Sequence, residues 1–393
     1  MAKAKNGKTM STTGTRGAAN TSGGPVAAAT NTLTKAGGSG GSGAKGKIGS
    51  AKARKKNGQN KGHPVSIVDG QVVEDLVDLS LSGPIPVAWR RLYSSAFHDE
   101  RTPLGRGGWT HELHQLVADV DGELVLRGED GRNLVLPPVA PNANAFHRGE
   151  RLTVSRGGDD RYEIESMDTL LTRVFVPLRE GGPAMLRELR DRWGNSVKLL
   201  YTDELLTGVQ AFGRELRIAH DEKGRVRRVE AWARRTLQHS VAYAYTEAGE
   251  LARATDALGA FDQYAYDGLH RLTKITLKNG VSFYYTYDDD LDRCVHTRGD
   301  GGIYDVEFIY DLNARVTWAA DEEASKYTWN ERGALVREET YDGDFVREYE
   351  YDADLLVVAE KNALGEATRY EYDARGNRTK VIDAAGNETR WEY

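Results

Sequence analysis

Apolar and polar residues alternate along most of the chain from residue 63 onward, with the two-residue period of a β-strand. Helical periodicity is hard to find. Residues 117–136 alternate around Asp121-Gly122 and Asp130-Gly131, and Pro137 then interrupts the pattern. This part of the chain is therefore predicted to be a meander of short strands joined by tight turns.

From residue 220 onward, two aromatic residues separated by one position mark each copy of a repeat. Their second members are spaced by about 21.6 residues on average, over eight intervals. Residues i and i+2 of a strand share a face, so the pairs predict a stripe of rings along one side of a sheet. His220 takes the second place in a degenerate first copy, and the pairs are Tyr243/Tyr245, Tyr264/Tyr266, Tyr285/Tyr287, Phe308/Tyr310, Tyr327/Trp329, Tyr349/Tyr351, Tyr370/Tyr372 and Trp391/Tyr393.

Turn residues recur at fixed distances from the second aromatic of each pair. Aspartate or asparagine often follows it directly, and glycine often stands 4 and 14 residues after it. Aspartate can bond the backbone of its own turn, and glycine readily takes a positive φ. Each unit is therefore predicted to be strand, turn, strand, turn. The residues predicted to define the repeat structurally are Tyr245, Gly249, Gly259, Tyr264, Tyr266, Asp267, Gly280, Tyr285, Tyr287, Tyr310, Trp329, Gly333, Tyr349, Tyr351, Gly365, Tyr370, Tyr372, Asp373, Gly376 and Gly386.

One hairpin cannot hold itself together in water, so these units must stack and share their aromatic face. No proline follows Pro183, which suits continuous hydrogen-bonded ladders. The fold class predicted is all-β, with antiparallel hairpins stacked into a spiralling sheet that forms part of a shell. A propeller with two units per blade and a β-solenoid are the alternatives, although a propeller would show twice the observed period.

Composition separates the start of the chain from the rest. Residues 1–62 hold 12 of the 53 basic residues, 14 of the 43 glycines, no acid and no aromatic residue. Such a segment cannot bury enough surface to fold, and it is predicted to be a disordered arm. The remaining 41 basic and 59 acidic residues give the rest of the chain a net charge of −18. The arm could dock electrostatically to nucleic acid, a membrane or an acidic partner, but without interleaved aromatics a solubilising linker is the favoured interpretation.

Several functional classes are excluded or disfavoured. A single cysteine, Cys294, excludes a disulfide framework, and no apolar run is long enough for a membrane helix or a signal peptide. His111 and His114 lack the i, i+4 spacing of a zinc-protease helix, and on a strand they would face opposite sides. The acidic cluster at residues 288–290 falls at the turn position. No catalytic residue, metal site or cofactor is predicted, so the chain is not expected to be an enzyme.

The repeat resembles a known family at specific positions. Residues 372–379 (YDARGNRT) and 266–273 (YDGLHRLT) follow the pattern Y-D-x-x-G-R-L-T, with His270 in place of glycine in the second. Upstream, HPV at 63–65, SGPIP at 82–86, RRLYSS at 90–95 and GRGGW at 105–109 are similar to the region that precedes such repeats. The chain thus resembles the Rhs (rearrangement hotspot), or YD-repeat, toxin family over residues 63–393. The domains expected are the arm at 1–62, the β-rich region before the repeats at 63–200, and the YD repeats at 201–393.

The resemblance implies a hollow β-shell that encloses a C-terminal effector and helps to deliver it in interbacterial competition, with type VI secretion as a candidate route. The family's D-P-x-G motif is absent, and the chain is interpreted as an N-terminal fragment without cap or effector. Its expected partners are the remaining shell and the toxin, from the same or a split gene, together with a type VI spike, chaperone or adaptor. It would stay cytoplasmic until a route that needs no signal peptide secretes it or brings it to the cell surface. The alternative function is a binding module for carbohydrate or a cell-surface partner.

Overall fold

The computed structural model describes residues 60–393 except 322, 323, 341, 343 and 345. Every regular element in these residues is a β-strand, apart from the 3-10 turns Ser95–Phe97 and Asp300–Gly302. The all-β prediction is therefore confirmed. No helix in this part of the chain is long and apolar enough to cross a bilayer. The predicted arm at 1–62 lies outside the described residues as far as residue 59, and Asn60–Lys61 form a short strand.

The strands fall into three groups along the chain. The first group is β1 (Asn60–Lys61), β2 (Val65–Ser66), β3 (Val73–Leu81), β4 (Val87–Ser94) and β5 (Trp109–His111). The second group is β6 (Leu116–Val120), β7 (Glu123–Arg127), β8 (Asn133–Val135), β9 (Ala143–His147), β10 (Leu152–Arg156), β11 (Tyr162–Ser166), β12 (Leu171–Pro177) and β13 (Ala184–Asp191). The third group is β14 (Ser196–Thr202), β15 (Leu205–Ala211), β16 (Arg214–His220), β17 (Val226–Ala233), β18 (Thr236–Tyr245), β19 (Leu251–Asp256), β20 (Phe261–Tyr266), β21 (Leu272–Thr276), β22 (Ser282–Asp288), β23 (Arg293–Gly299), β24 (Val306–Asp311), β25 (Val316–Ala320), β26 (Ser325–Trp329), β27 (Leu335–Thr340), β28 (Val346–Tyr351), β29 (Val357–Lys361), β30 (Ala367–Tyr372), β31 (Arg378–Ile382) and β32 (Glu388–Arg390).

One sheet holds the 27 strands β6–β32. From β9 to β32 each strand pairs antiparallel with the next strand in the sequence, and the β6–β8 meander joins the sheet where Leu116 and Val117 pair with β13. The turns at Asp121 and Asp130 connect β6, β7 and β8, so the predicted meander is confirmed. The expected domain boundary at residue 200 falls inside β14, whose ladders to β13 and β15 are continuous. The sequence pattern changes near residue 200, but the sheet continues across that position without interruption.

The large sheet has one charged face and one apolar face, as expected for an antiparallel sheet covered on one side. On the charged face, Glu348 of β28 lies opposite Arg337 of β27 and Lys361 of β29. It forms ion pairs with both, and its carboxylate is 3.6 Å from the Lys361 amine. Tyr349, the next residue of β28, points to the other face and is buried. Period-two alternation thus produces a wall whose two surfaces differ chemically.

Residues 60–115, called the inner segment from here on, cross the apolar face of this wall. The segment contains β1–β5, and its Trp89 is fully buried. At one end Gly83 packs directly against the Phe212 ring in the turn before β16. At the other end the Lys61 amine lies 3.9 Å from the Asp321 carboxylate and 5.9 Å from the centre of the Tyr327 ring. The inner segment therefore covers the aromatic face from the start of β16 to β26.

The sheet also curls, so that turns far apart in the sequence come into contact. Arg148, in the turn between β9 and β10, places Nη1 2.7 Å from an Asp352 carboxylate oxygen and 2.8 Å from one of Asp354. Arg151 in the same turn donates to the Arg375 carbonyl at 3.2 Å. Arg148 and Asp352 are 204 residues apart in the sequence. This contact, called the seam, makes the sheet a spiral, in agreement with the predicted architecture.

Candidate functional site: the aromatic face and the inner segment

In the repeats that the inner segment covers, the first aromatic of the pair points into the interface with that segment. The Tyr243 hydroxyl donates to Asp78 at 2.5 Å and accepts from the Trp89 indole at 2.7 Å. The Tyr285 hydroxyl donates to Glu74 at 2.9 Å. These rings thus combine apolar burial with a polar tip that meets a partner, as buried tyrosines usually do. The other first members are Tyr264, Phe308, Tyr327 and Tyr349, which are buried, Tyr370, which is half-buried, and Trp391, which is exposed.

A buried charge cluster joins the inner segment to the repeats. Arg91 of β4 places Nε and Nη2 2.6 and 2.8 Å from the two Asp78 oxygens, and Nη2 also lies 2.9 Å from Asp262 of β20. It also donates to the Tyr264 hydroxyl, and its guanidinium lies 5.5 Å from the centre of the Trp109 ring. Burial opposes the charge on Arg91, but Tyr264 and Asp78 outweigh it and hold the Arg91 pKa above its ordinary value. The geometry therefore fixes the inner segment against β20 through a charged contact shielded from solvent.

The second aromatic of most pairs ties its repeat to an earlier strand. In seven repeats the tyrosine hydroxyl donates to a backbone carbonyl 15–19 residues earlier, at 2.6–3.2 Å. Burial raises the pKa of five of these hydroxyls, those of Tyr245, Tyr266, Tyr287, Tyr310 and Tyr372, so they stay protonated donors. Trp329 has no hydroxyl, and its buried indole nitrogen has no hydrogen-bond partner in the described part of the chain. The donor–acceptor pairs are Tyr245–Val226, Tyr266–Leu251, Tyr287–Leu272, Tyr310–Cys294, Tyr351–Leu335, Tyr372–Val357 and Tyr393–Arg378.

The turn residues predicted from the sequence shape the turns at the ends of the hairpins. One Asp267 oxygen accepts from the Leu269 and Arg271 amides at 3.0 and 2.9 Å, and Asp373 caps its own turn in the same way. His270 and Leu355 stand where other repeats have glycine, and both adopt a positive φ, 66° and 61°. The predicted glycines, all with φ between 72° and 97°, are Gly249, Gly259, Gly280, Gly333, Gly365, Gly376 and Gly386.

Sequence reasoning missed the charged residues of this interface. Arg91 and Asp78 lie in strands that read as ordinary β-pattern, and Asp262 is one of many acids in the repeats. The available signal was the position of Arg91 between Trp89 and Tyr93, since alternation puts these three on one strand face and an arginine buried there needs a partner. The seam arginine Arg148 gives no comparable signal in the sequence.

The expectation that His111 and His114 face opposite sides is wrong. β5 ends at His111, a turn follows, and the two imidazole rings lie 5.8 Å apart. With His220 they line a cavity of about 20 Å³, room for one water molecule. His111 stacks on Trp89 at 4.3 Å, and both of its ring nitrogens are buried without a hydrogen bond. Burial lowers the His111 pKa to about 3. No cluster of three or more ligands suited to a metal ion occurs among the described residues.

Family models match both regions of this interface. The model "RHS Repeat" matches residues 245–282 and 351–389, which contain the tyrosine ties and aspartate turns. The chain contains Rhs, or YD, repeats. A second model, "Domain of unknown function (DUF6531)", matches residues 62–136, which include most of the inner segment. The Rhs assignment thus rests on repeats whose paired tyrosines and turns are built as described above.

Similar proteins come from bacterial toxins and related systems. "Probable deoxyribonuclease RhsB" of Dickeya dadantii (strain 3937) is 26% identical over 370 residues, covering 88% of this chain and 24% of the relative. "Double-stranded DNA deaminase toxin A" of Burkholderia cenocepacia (strain H111) is 27% identical over 281 residues, covering 65% of this chain and 18% of the relative. This Rhs chain therefore spans a quarter or less of the length of either relative.

Solved structures match more distantly. "Crystal Structure of TcdB2-TccC3-Cdc42" matches with a TM-score of 0.39 and 10% identity, covering 80% of this chain and 21% of that chain. The N-terminal domain of the effector protein SpvB from Salmonella typhimurium strain LT2 matches with a TM-score of 0.21 and 12% identity, covering 65% of this chain and all of that one. At these scores the likeness carries no further conclusion.

Proposed function

We propose that this Rhs chain is a non-enzymatic part of a toxin shell that encloses a C-terminal effector and helps to deliver it in interbacterial competition. The seam carries the proposal. It holds the turn before β10 against the turns after β28 and β30, so the sheet forms a curved wall. A wall that curls back on itself is suited to surrounding another polypeptide, which a flat sheet is not.

The acidic cluster considered for catalysis serves the wall as well. Asp289 and Asp292 form ion pairs with Arg271, and Asp288 accepts from the Leu291 amide at 2.9 Å. Carboxylates committed to ion pairs and turns are poorly placed for proton transfer to a substrate. We therefore assign the toxic activity to the effector and propose that this chain encloses it.

The proposed partners follow from the same role. They are the rest of the shell and the toxin, encoded with this chain or by a split gene, and a type VI spike or an adaptor that loads the complex. The chain would remain in the cytoplasm of the producing bacterium until a route independent of a signal peptide exports it. The curated relatives named as a deoxyribonuclease and a deaminase toxin support the expectation of an effector partner.

The binding-module alternative has less support. A carbohydrate platform needs exposed rings, whereas the first rings of the pairs are mostly buried and Tyr351 donates its hydroxyl to the Leu335 carbonyl at 2.6 Å. Glycan binding that disappears in Tyr351→Ala while the fold is retained would favour this alternative. We expect instead that Tyr351→Ala destabilises the sheet.

The test uses the complete toxin system in its producing bacterium. Arg148→Glu with Arg151→Glu places negative charge against Asp352 and Asp354 and should open the seam. We expect the effector to become sensitive to added protease and target-cell killing to fall. Arg369→Glu, an exposed change on β30, is the matched control and should leave both readouts unchanged. Undiminished protection and killing after in-frame deletion of residues 63–393 would contradict the proposal.

A further inference from the structure

The turns of the large sheet lie along two edges. Turns that follow an odd-numbered strand lie along one edge, called edge 1, and turns that follow an even-numbered strand from β10 onward lie along the other, called edge 2. The seam is a contact between these edges, since Arg148 and Arg151 follow β9 whereas the turns they meet follow β28 and β30. The chain therefore contains one complete example of edge 1 bound to edge 2.

The seam shows which groups edge 1 recognises. Arg148 Nη1 contacts two carboxylates, those of Asp352 and Asp354, and its Nε donates to the Asp373 carbonyl at 3.1 Å. Arg151 donates to a further turn carbonyl. The contact is also close, because a Cβ on Gly149 would lie 2.6 Å from the Asp354 carbonyl oxygen. Edge 1 thus binds an aspartate turn through arginine, with carboxylate and backbone oxygens as acceptors.

Further along, edge 1 presents the same chemistry to solvent. Arg192 and Trp193 follow β13, with the guanidinium 5.4 Å from the centre of a Trp193 ring that is 75% exposed. Arg234 and Arg235 follow β17 and are exposed. Leu258, after β19, is 96% exposed. Cationic side chains beside large exposed apolar ones are typical of a surface that binds a partner.

Edge 2 offers the complementary surface. Asp290, after β22, and Glu331, after β26, are exposed, and the Glu331 side chain is 82% accessible. Both lie in the same class of turn as Asp352 and Asp373. The exposed acids of edge 2 therefore complement the exposed arginines of edge 1 in charge.

We propose that edge 1 from Arg192 to Leu258 docks edge 2 of a second copy of this chain, repeating between molecules the contact that the seam makes within one. The two surfaces differ, so the contact is head-to-tail and a docked copy leaves both kinds of edge open for another. The copies would stack like the turns of one continuous spiral. This self-association goes beyond the proposed shell function, because it needs no effector.

Sedimentation velocity on the full chain over about 1–100 µM tests the proposal in the range of weak specific contacts. We expect association that grows with concentration and weakens with added salt, since exposed charge pairs are screened. A chain that stays monomeric over this range would overturn the proposal and would leave edge 1 to the remaining repeats of the shell.

Charge reversal identifies the edges. Arg192→Glu with Arg234→Glu should weaken self-association by about tenfold or more, because two attractive contacts become repulsive. Asp290→Arg with Glu331→Arg should do the same from the other edge. The two variants should associate when mixed, whereas Arg369→Glu should behave as the unmodified chain. Self-association that survives either double variant, or a mixture that does not associate while circular dichroism shows both variants folded, would overturn the proposal.

Discussion

Replacing Arg91 with methionine is expected to destabilise the fold strongly, because the side chain neutralises two buried carboxylates. The Arg91 side chain is 1% exposed, and its partners Asp78 and Asp262 are 2% and 7% exposed. Removing the cation leaves both carboxylates buried away from water without the guanidinium that they share. Breaking a buried ion pair in this way costs about 3–5 kcal/mol. Since natural domains are stable by roughly 5–15 kcal/mol, the change consumes a large share of the total.

The measurement is urea unfolding followed by tryptophan fluorescence, with Trp109 beside the cluster as a local probe. Arg90→Met is the matched control. Arg90 is the adjacent residue, and its pair with Asp75 at 2.9 Å is partly exposed, so that variant should lose no more than about 1 kcal/mol. Adding Asp78→Asn to Arg91→Met should recover part of the loss. A loss below about 1 kcal/mol for Arg91→Met would refute the claim that Arg91 neutralises two buried carboxylates.

Three further predictions concern single contacts. Tyr287→Phe removes the hydroxyl that donates to the Leu272 carbonyl and should lower the free energy of unfolding by about 1–2 kcal/mol. Tyr284→Phe on the charged face should change it little. Equal losses in urea titrations of the two variants would contradict a stabilising role for the Tyr287 hydrogen bond. Leu355→Gly relieves a positive φ of 61° and should raise the melting temperature, with a gain of roughly 1 kcal/mol in calorimetry; a lower melting temperature would count against strain at this turn. The folded-state pKa of His111, about 3, lies below its unfolded value, so the free energy of unfolding should fall as pH drops from 6.5 toward 3, by about 2 kcal/mol at pH 5. Urea unfolding at pH 7 and pH 5 measures this dependence, and His111→Phe should make it weaker. An unchanged dependence in that variant would exclude His111 as its source.

The repeat could be predicted from sequence because its signals are local. The spacing of Tyr264 and Tyr266 puts both rings on one face of β20, and the aspartate that follows, Asp267, caps its own turn within four residues. Strand alternation and turn chemistry decide such features without reference to the rest of the chain. Leu355 shows the limit even here, since a leucine at a glycine position could not be recognised as taking a positive φ.

What covers the aromatic face could not be predicted from sequence. Arg91 meets Asp262 across 171 residues, and Arg148 meets Asp352 across 204. Periodicity identifies an apolar face but contains no information about which distant segment packs on it. The prediction for His111 and His114 failed for a related reason. The sequence around His111 is typical of a continuous strand, whereas the chain turns immediately after that residue.

The spiral wall is tested most directly by joining the two sides of the seam. Cys294 is the single cysteine of the chain and is buried, so Asp168→Cys with Arg375→Cys introduces two accessible thiols in an otherwise unreactive background. Arg151 contacts both positions across the seam, and the two changes leave the Arg148 ion pairs in place. A short bis-maleimide should link them within one molecule, giving a faster-migrating monomer in denaturing electrophoresis, and each single variant should remain unlinked. Failure of the double variant to form the internal link, although both cysteines react with a monofunctional maleimide, would contradict the curled wall.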